Sequence, residues 1–373
     1  MKSFSFKYWG GLIFLIFLSI LSYYTYRINT RNIVQDLSQE KKLINILLAG
    51  NHNYNRNKHK FFAVLSFNPE NNNVGLIFIP PNLRVFLDNN KNIPTKIEDI
   101  SLKKISDIKS TLREILGLDV IFYIELYDEN VRRIINLLEG LDFFCLDNLD
   151  NLEKDLYLNF GLNYLDGNKI LKYINEPASS FGLNKYDRIQ DVFFTLYFNK
   201  EKKKHLFNLD FITELVKDLD TNLLPNEIFS LIKMVYAEGN FFAKILPGKI
   251  EEDWFIFDRI GAEEYRKEFL NKIILKKDPA SKIRVRVLNG TKIPKLARKM
   301  RNSLDKEGLK VVEFGTFRNF LLPKSIIISQ KADCSMTKKI SELTGIDRIF
   351  FKIDSSLFSD ILIIVGQDFT PPR

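Results

Sequence analysis

The sequence predicts an α/β protein: an N-terminal transmembrane helix, a larger domain built around a sheet, and a small βαββαβ-like domain behind it. Three observations carry this expectation. Short apolar runs alternate with stretches whose apolar residues recur three and four apart, the periods of strand and helix. The stretch "YWGGLIFLIFLSILSYYTY", residues 8–26, contains no charge. A second strand–helix alternation starts after the charged segment "NKIILKKDPASK" and has the size of a small domain.

The N-terminal run is flanked by Lys2 and Lys7 before it and by Arg27 and Arg31 after it. It is long enough to cross a bilayer with slight tilt, and Trp9, Tyr23, Tyr24 and Tyr26 suit the two interfaces. No small-x-small cleavage site follows, and no Cys for lipid attachment, so an uncleaved anchor is expected rather than a signal peptide. The short tail then stays cytoplasmic and the bulk of the chain lies outside the cytoplasmic membrane. Residues 28–42 read as a juxtamembrane linker.

"LINILLAG" reads as a buried strand, and "FFAVLSFNP" and "NVGLIFIP" as a hairpin around the Asn-rich turn "ENNN". A helix over "LKKISDIKSTLREILG", stopped by Gly117, precedes the strand "DVIFYIELY" and the helix "ENVRRIINLLEG". Helical spacing recurs at 166–174, 185–199, 210–219 and 225–237, which implies a sheet covered on both faces. The domain boundaries are expected at 43–270 and 282–370, with a linker at 271–281. In the second unit "KIRVRVLNG" is a strand; Gly290 is expected to supply backbone freedom and Thr291 a helix N-cap.

Composition narrows the function. The 373 residues are 45% hydrophobic and 27% charged, an ordinary globular balance that excludes bulk disorder. The net charge of +9 comes without a dense basic stripe interleaved with aromatics, so nucleic acid is not the expected partner. The only tight run, Lys202-Lys203-Lys204-His205, reads as a solvated helix end, and the dispersed excess suits a membrane surface or a phosphate-rich lipid. Cys145 and Cys334 form no CxxC pair and read as structural, and three His (His52, His59, His205) argue against a histidine-rich metal site.

The order "NILLAG", "FNP…GLIFIP", "GLDVIFYIELYDENVRRIINLLEGLDF", "LNFGLNYLDGNKILKYI" resembles the LytR-CpsA-Psr (LCP) domain over about 43–198. The tail "VRVLNGTKIPKLARKMRNSLDKEGLKVV…ILIIVGQDF" resembles the LytR C-terminal domain. The resemblance implies an α/β/α sandwich with a central mixed sheet. It also implies a cell-envelope activity: transfer of a phosphate-linked glycopolymer from a polyprenyl-pyrophosphate carrier to peptidoglycan, using Mg²⁺ and arginines on the phosphates.

The family motifs do not carry over intact. Where the family has Arg-Ser-Asp-Thr, this chain has Lys58-His59-Lys60-Phe61, so an ammonium stands at the position of a metal-binding carboxylate. Ser-Ile-Pro-Arg-Asp-Thr becomes Phe78-Ile79-Pro80-Pro81-Asn82-Leu83; Pro81 has no donor in place of a catalytic Arg, and Asn82 is neutral in place of Asp. Arg-x-Arg becomes Asn175-Glu176-Pro177. Asp-x-x-Arg-x-x-Arg-Gln becomes Gly182-Leu183-Asn184-Lys185-Tyr186-Asp187-Arg188-Ile189. Lys58, Arg84, Lys185 and Arg188 fall at positions the resemblance assigns to pyrophosphate. "VIFYIELY" together with Val192, Phe193, Phe194 and Leu196 either lines a lipid pocket or forms ordinary core.

The expected function is a degenerate LCP protein that keeps the fold, binds a polyprenyl-phosphate lipid or a peptidoglycan or envelope-protein partner, and has lost or reduced phosphotransferase activity. No catalytic residue, metal or cofactor is assigned. Two alternatives stand beside it: an active phosphotransferase with Mg²⁺ on rearranged carboxylates (Asp88, Glu98, Asp99 or Asp187), and a ligand-free scaffold.

Overall fold

The computed structural model describes residues 32–51, 59–87, 90–100, 105–146, 148–151, 156–175, 184–275, 283–318 and 322–369. The anchor expected at 8–26 lies outside them; among the described residues no helix is long and apolar enough to cross a membrane.

Helix α1 (Ile33–Gln39) is N-capped by Asn32, whose side chain accepts from the Gln35 N–H. Strands β1 (Ile44–Asn51), β2 (His59–Phe67) and β3 (Val74–Ile79) form an antiparallel meander. The ribbon β4 (Arg84–Leu87)/β5 (Asn90–Lys96), helix α2 (Ile105–Leu116), strand β6 (Phe122–Tyr127) and helix α3 (Asp128–Leu137) follow. Strands β7 (Leu141–Cys145), β8 (Leu149–Asn151), β9 (Leu156–Leu158) and β10 (Gly161–Leu165) make two small ribbons, β7 with β10 and β8 with β9. Helices α4 (Gly167–Asn175), α5 (Asn184–Phe198), α6 (Lys200–Lys203) and α7 (Leu209–Val216) lead to strand β11 (Asp220–Thr221) and helix α8 (Pro225–Tyr236). Strand β12 (Phe241–Ile245), the ribbon β13 (Gly248–Glu251)/β14 (Trp254–Phe257) and helix α9 (Ala262–Ile274) complete the larger domain.

Its central sheet is mixed, in the order β11-β6-β1-β2-β3-β12, with β6 parallel to β1 and β12 parallel to β3. Every residue of β1 and β3 is buried, because helices cover both faces. Alternate side chains enter two cores. Ile46, Leu48, Leu76 and Phe78 meet α5, α7 and α8 on one face. Leu47, Val64, Ile77 and Ile79 meet α2 and α9 on the other.

The Asn-rich turn does more than reverse the chain. The amides of Asn68, Asn71 and Asn73 donate to the carbonyls of Ile273 (2.9 Å), Ile274 (2.8 Å) and Leu275 (3.0 Å). They satisfy carbonyls that a helix end leaves open. Helix α9 therefore runs to Ile274, beyond the boundary at 270 expected from sequence.

The C-terminal domain comprises β15 (Arg284–Asn289), α10 (Leu296–Lys306), β16 (Lys310–Thr316), β17 (Ile326–Ser329), α11 (Cys334–Thr344), β18 (Ile349–Phe351) and β19 (Ile361–Val365). Its sheet order is β16-β15-β19-β17-β18. The pattern is βαββαββ, one strand more than expected; a strand of three residues carries no readable period and forms through pairing with β17.

Two local expectations are corrected. Gly290 is not in a left-handed conformation; a Cβ there would lie 2.9 Å from Ile364 Cγ2 and 3.1 Å from Val365 O, so close packing is what excludes a side chain. Thr291 does not cap α10, whose N-cap is Lys295. Its hydroxyl donates to Asn289 Oδ1 at 2.9 Å and accepts from the Ile293 N–H at 3.0 Å, closing a local turn.

The domains share a core. Cys334, Phe351 and Ile353 belong to the same buried cluster as the α5 face of the central sheet. The Ala243 N–H donates to Ala332 O at 2.9 Å, Lys338 Nζ donates to Gly239 O at 2.6 Å, and Lys272 pairs with Asp333. Neither cysteine is in a disulfide, and burial pushes the Cys334 thiol up.

Candidate functional site

Strand β3 ends at Ile79, and the Leu83 N–H donates to Pro80 O at 3.0 Å, closing a turn with Pro81 at its second position. Proline fixes φ there and suits that place. The turn's polar groups hold neighbouring elements. The Asn82 amide donates to Asp253 O at 3.2 Å, and Asn82 O accepts from the Phe255 N–H at 2.9 Å. Pro81 O accepts from the Glu98 N–H at 3.0 Å. The loop is a pinned turn between two hairpins.

Arg84 follows the turn and is exposed, its guanidinium carbon 5.9 Å from the centre of the Phe86 ring. It lines a cleft of about 590 Å³ shared with Thr111 and Glu114 of α2 and Arg266 of α9. These helices cover the sheet face opposite α5.

Lys185 and Arg188 lie in the first turns of α5, on the other face. Arg188 Nη1 donates to Tyr173 O at 2.9 Å and its guanidinium stacks 5.4 Å from the Tyr173 ring. Arg84 thus lines a cleft with α2 and α9, whereas Arg188 packs on Tyr173 of α4. Asn175, half-buried, ends α4, and Lys60 lies in β2. Lys58 and Pro177 fall outside the described residues.

Sequence reasoning missed what the rest of α5 does. Asp187, Asp191, Phe194 and Phe198 are spaced four, three and four apart, so they share one helix face, and that face meets the C-terminal domain. Phe351 packs at 5.4 Å from both Phe194 and Phe198. Asp191, 0% exposed, accepts from the Ile353 N–H at 2.5 Å and from Tyr173 OH at 2.5 Å. Lys352 Nζ donates to Tyr173 OH at 2.9 Å and stands 3.7 Å from Asp191 Oδ2. Burial outweighs these partners and raises the Asp191 carboxyl to about 6. Asp187 accepts from Ser355 Oγ at 3.2 Å, while its buried Oδ1 meets no donor among the described residues; burial raises this carboxyl too. Two carboxylates in an otherwise apolar helix stripe were the available signal.

The aromatic positions of α5 pack as core. Phe194 stacks on Phe241 at 4.4 Å, Phe193 meets Phe78 edge-on at 6.5 Å, and Val192 sits in a separate buried cluster with Tyr173.

Among the described residues, Lys60 and Asn82 bring no carboxylate to the positions where the family resemblance implies Mg²⁺ ligands, and Asp88 lies outside them. The Asn82 side chain spends its amide on Asp253 O, and Asp187 turns to Ser355 of the other domain. Among the described residues no three His, Cys, Asp or Glu side chains are grouped to hold a metal ion.

Comparison with known proteins agrees with both halves of the chain. Residues 282–369 match the family described as LytR cell envelope-related transcriptional attenuator, so the C-terminal domain is a LytR C-terminal domain. The larger domain has the fold of TagV from B. subtilis: 18% identity, 62% of this chain and 98% of the other, TM-score 0.52. TagT, solved bound to LI-WTA, is similar at 16% identity over 63% of this chain and 92% of the other, TM-score 0.50. A transcriptional regulator from Enterococcus faecalis is similar at 14% identity over 65% and 91%, TM-score 0.51. At these identities the likeness concerns the fold. No curated protein matches the chain.

Proposed function

We propose that this chain, an LCP-type domain followed by a LytR C-terminal domain, is a membrane-tethered protein of cell-envelope biogenesis that binds a phosphorylated carrier lipid without turning it over. The tether is the run at 8–26, and the folded part lies on the extracytoplasmic side, within reach of lipid carriers and of peptidoglycan or envelope-protein partners. The observation that carries the loss of catalysis is the fate of Asp187. It is the carboxylate nearest the family's acidic motif on α5, and it is buried against Ser355 of the C-terminal domain. A carboxylate held there is not available to a cation beside the turn at Pro81, and Pro81 offers no donor to a phosphate oxygen.

The test uses the full chain in detergent with a prenyl-pyrophosphate-linked sugar and peptidoglycan fragments, with Mg²⁺ or with chelator. Binding without release of prenyl phosphate in either buffer is the expected result. Mg²⁺-dependent release would refute the reading and favour rearranged ligands; absence of any lipid binding would favour a scaffold.

A further inference from the structure

The geometry points to the cleft beside Arg84 as a binding site for a phosphate or pyrophosphate ester carrying an apolar group, held by Arg84, Arg259 and Arg266. This deepens the carrier-lipid reading and rests on it for the ligand's biological source, but it puts the phosphate on the α2–α9 face rather than at Arg188.

The three guanidiniums come from separate parts of the chain: the start of β4, the loop before α9, and the second turn of α9. They converge on one cleft of about 590 Å³, a volume within the range of small-molecule sites. Arg266 is steadied by its Nε–H, which donates to Ala262 O at 3.3 Å, and Arg84 by the Phe86 ring. Among the described lining residues Glu114 is the one carboxylate, and Glu251 also acts on Arg84, so the three guanidiniums outnumber the carboxylates around them. A positive excess suits a phosphate, whose oxygens the planar guanidinium grips in pairs. Glu114 does not block the site: it reaches Arg259 only at 4.0 Å, with the side chains 75% and 79% exposed, a pair that an anionic ligand displaces at little cost. Below the charges the wall is apolar, formed by Val85, Ile115, Ile256 and Phe257. A cationic rim over an apolar wall recognises an amphiphile.

The experiment is calorimetry on the full chain in detergent with geranyl pyrophosphate and with inorganic pyrophosphate. Geranyl pyrophosphate is expected to bind more tightly than pyrophosphate, and raised salt to weaken both. Arg259→Ala with Arg266→Ala should weaken binding by about tenfold or more, whereas Arg188→Ala should change it by less than about twofold. Arg259→Glu, at a side chain 79% exposed, gives the same weakening where loss of fold is not an explanation. Equal affinity for the two probes overturns the assignment of an amphiphile, and no saturable binding overturns the site. Binding lost in Arg188→Ala but kept in the double variant also overturns it, while leaving the carrier-lipid reading intact with its phosphate on α5.

Discussion

Asp191 gives the contact between the two domains a pH dependence opposite to that of an ordinary paired carboxylate. It is 0% exposed, and burial lifts its folded value from 3.8 to about 6 in spite of Lys352, Tyr173 and the Ile353 N–H. A carboxyl raised on folding binds its proton more tightly in the folded state, so stability falls as pH climbs from about 4 to about 6 and is level above that. A rise of about two units corresponds to about 3 kcal/mol between those limits. Asp191→Asn removes the titration and keeps an acceptor for the Ile353 N–H. Urea unfolding of both chains, followed by circular dichroism at pH 4, 5, 6 and 7, measures the difference. The variant should gain on the native chain by about 3 kcal/mol between pH 4 and pH 7, with the change centred near pH 5. A difference that stays constant across the series, or that moves the other way, would show that the carboxylate is adequately solvated or paired and would refute the argument.

Other consequences are simpler to measure. Phe351→Ala empties a site that Phe194 and Phe198 pack against, and should cost about 3–5 kcal/mol in chemical denaturation. Removing residues 282–373 should leave a larger domain that aggregates or binds a hydrophobic dye, because Cys334, Phe351 and Ile353 complete its core. Asn73→Ala leaves Leu275 O without its amide donor and the Asn240 N–H without its acceptor, which should cost about 1–3 kcal/mol and loosen α9 from the β2–β3 turn. Pro81→Arg with Asn82→Asp restores two family residues in the turn; Mg²⁺-dependent turnover should still be absent, since Asp187 stays against Ser355.

Most elements of the fold were legible because they are long enough to repeat their period. The meander β1–β3, helices α2 to α5, and α8 all fall where apolar spacing put them. The candidate site was legible only in part. The substitutions at Lys60, Pro81, Asn82 and Asn175 can be read from the chain, but the side chains that now surround Arg84 come from positions some 175 and 182 residues further on. Nothing local to Arg259 or Arg266 marks them as its neighbours.

By itself, then, the sequence determined which segments become strand or helix, which residues stand where the resemblance sets the family motifs, and that one uncharged run near the N-terminus is long enough to span a bilayer. The tertiary structure decided direction and company. It set Arg84 in a cleft with α2 and α9 and Arg188 on Tyr173 of α4, although a motif comparison places them in one group. It also turned Asp187 and Asp191 toward Ser355 and Ile353, more than 160 residues away. The physical reason is that periodicity is set by the backbone within a few residues, whereas the partner of a buried charge is set by the path of the whole chain. Only when β18 docks on α5 do those two carboxylates leave water.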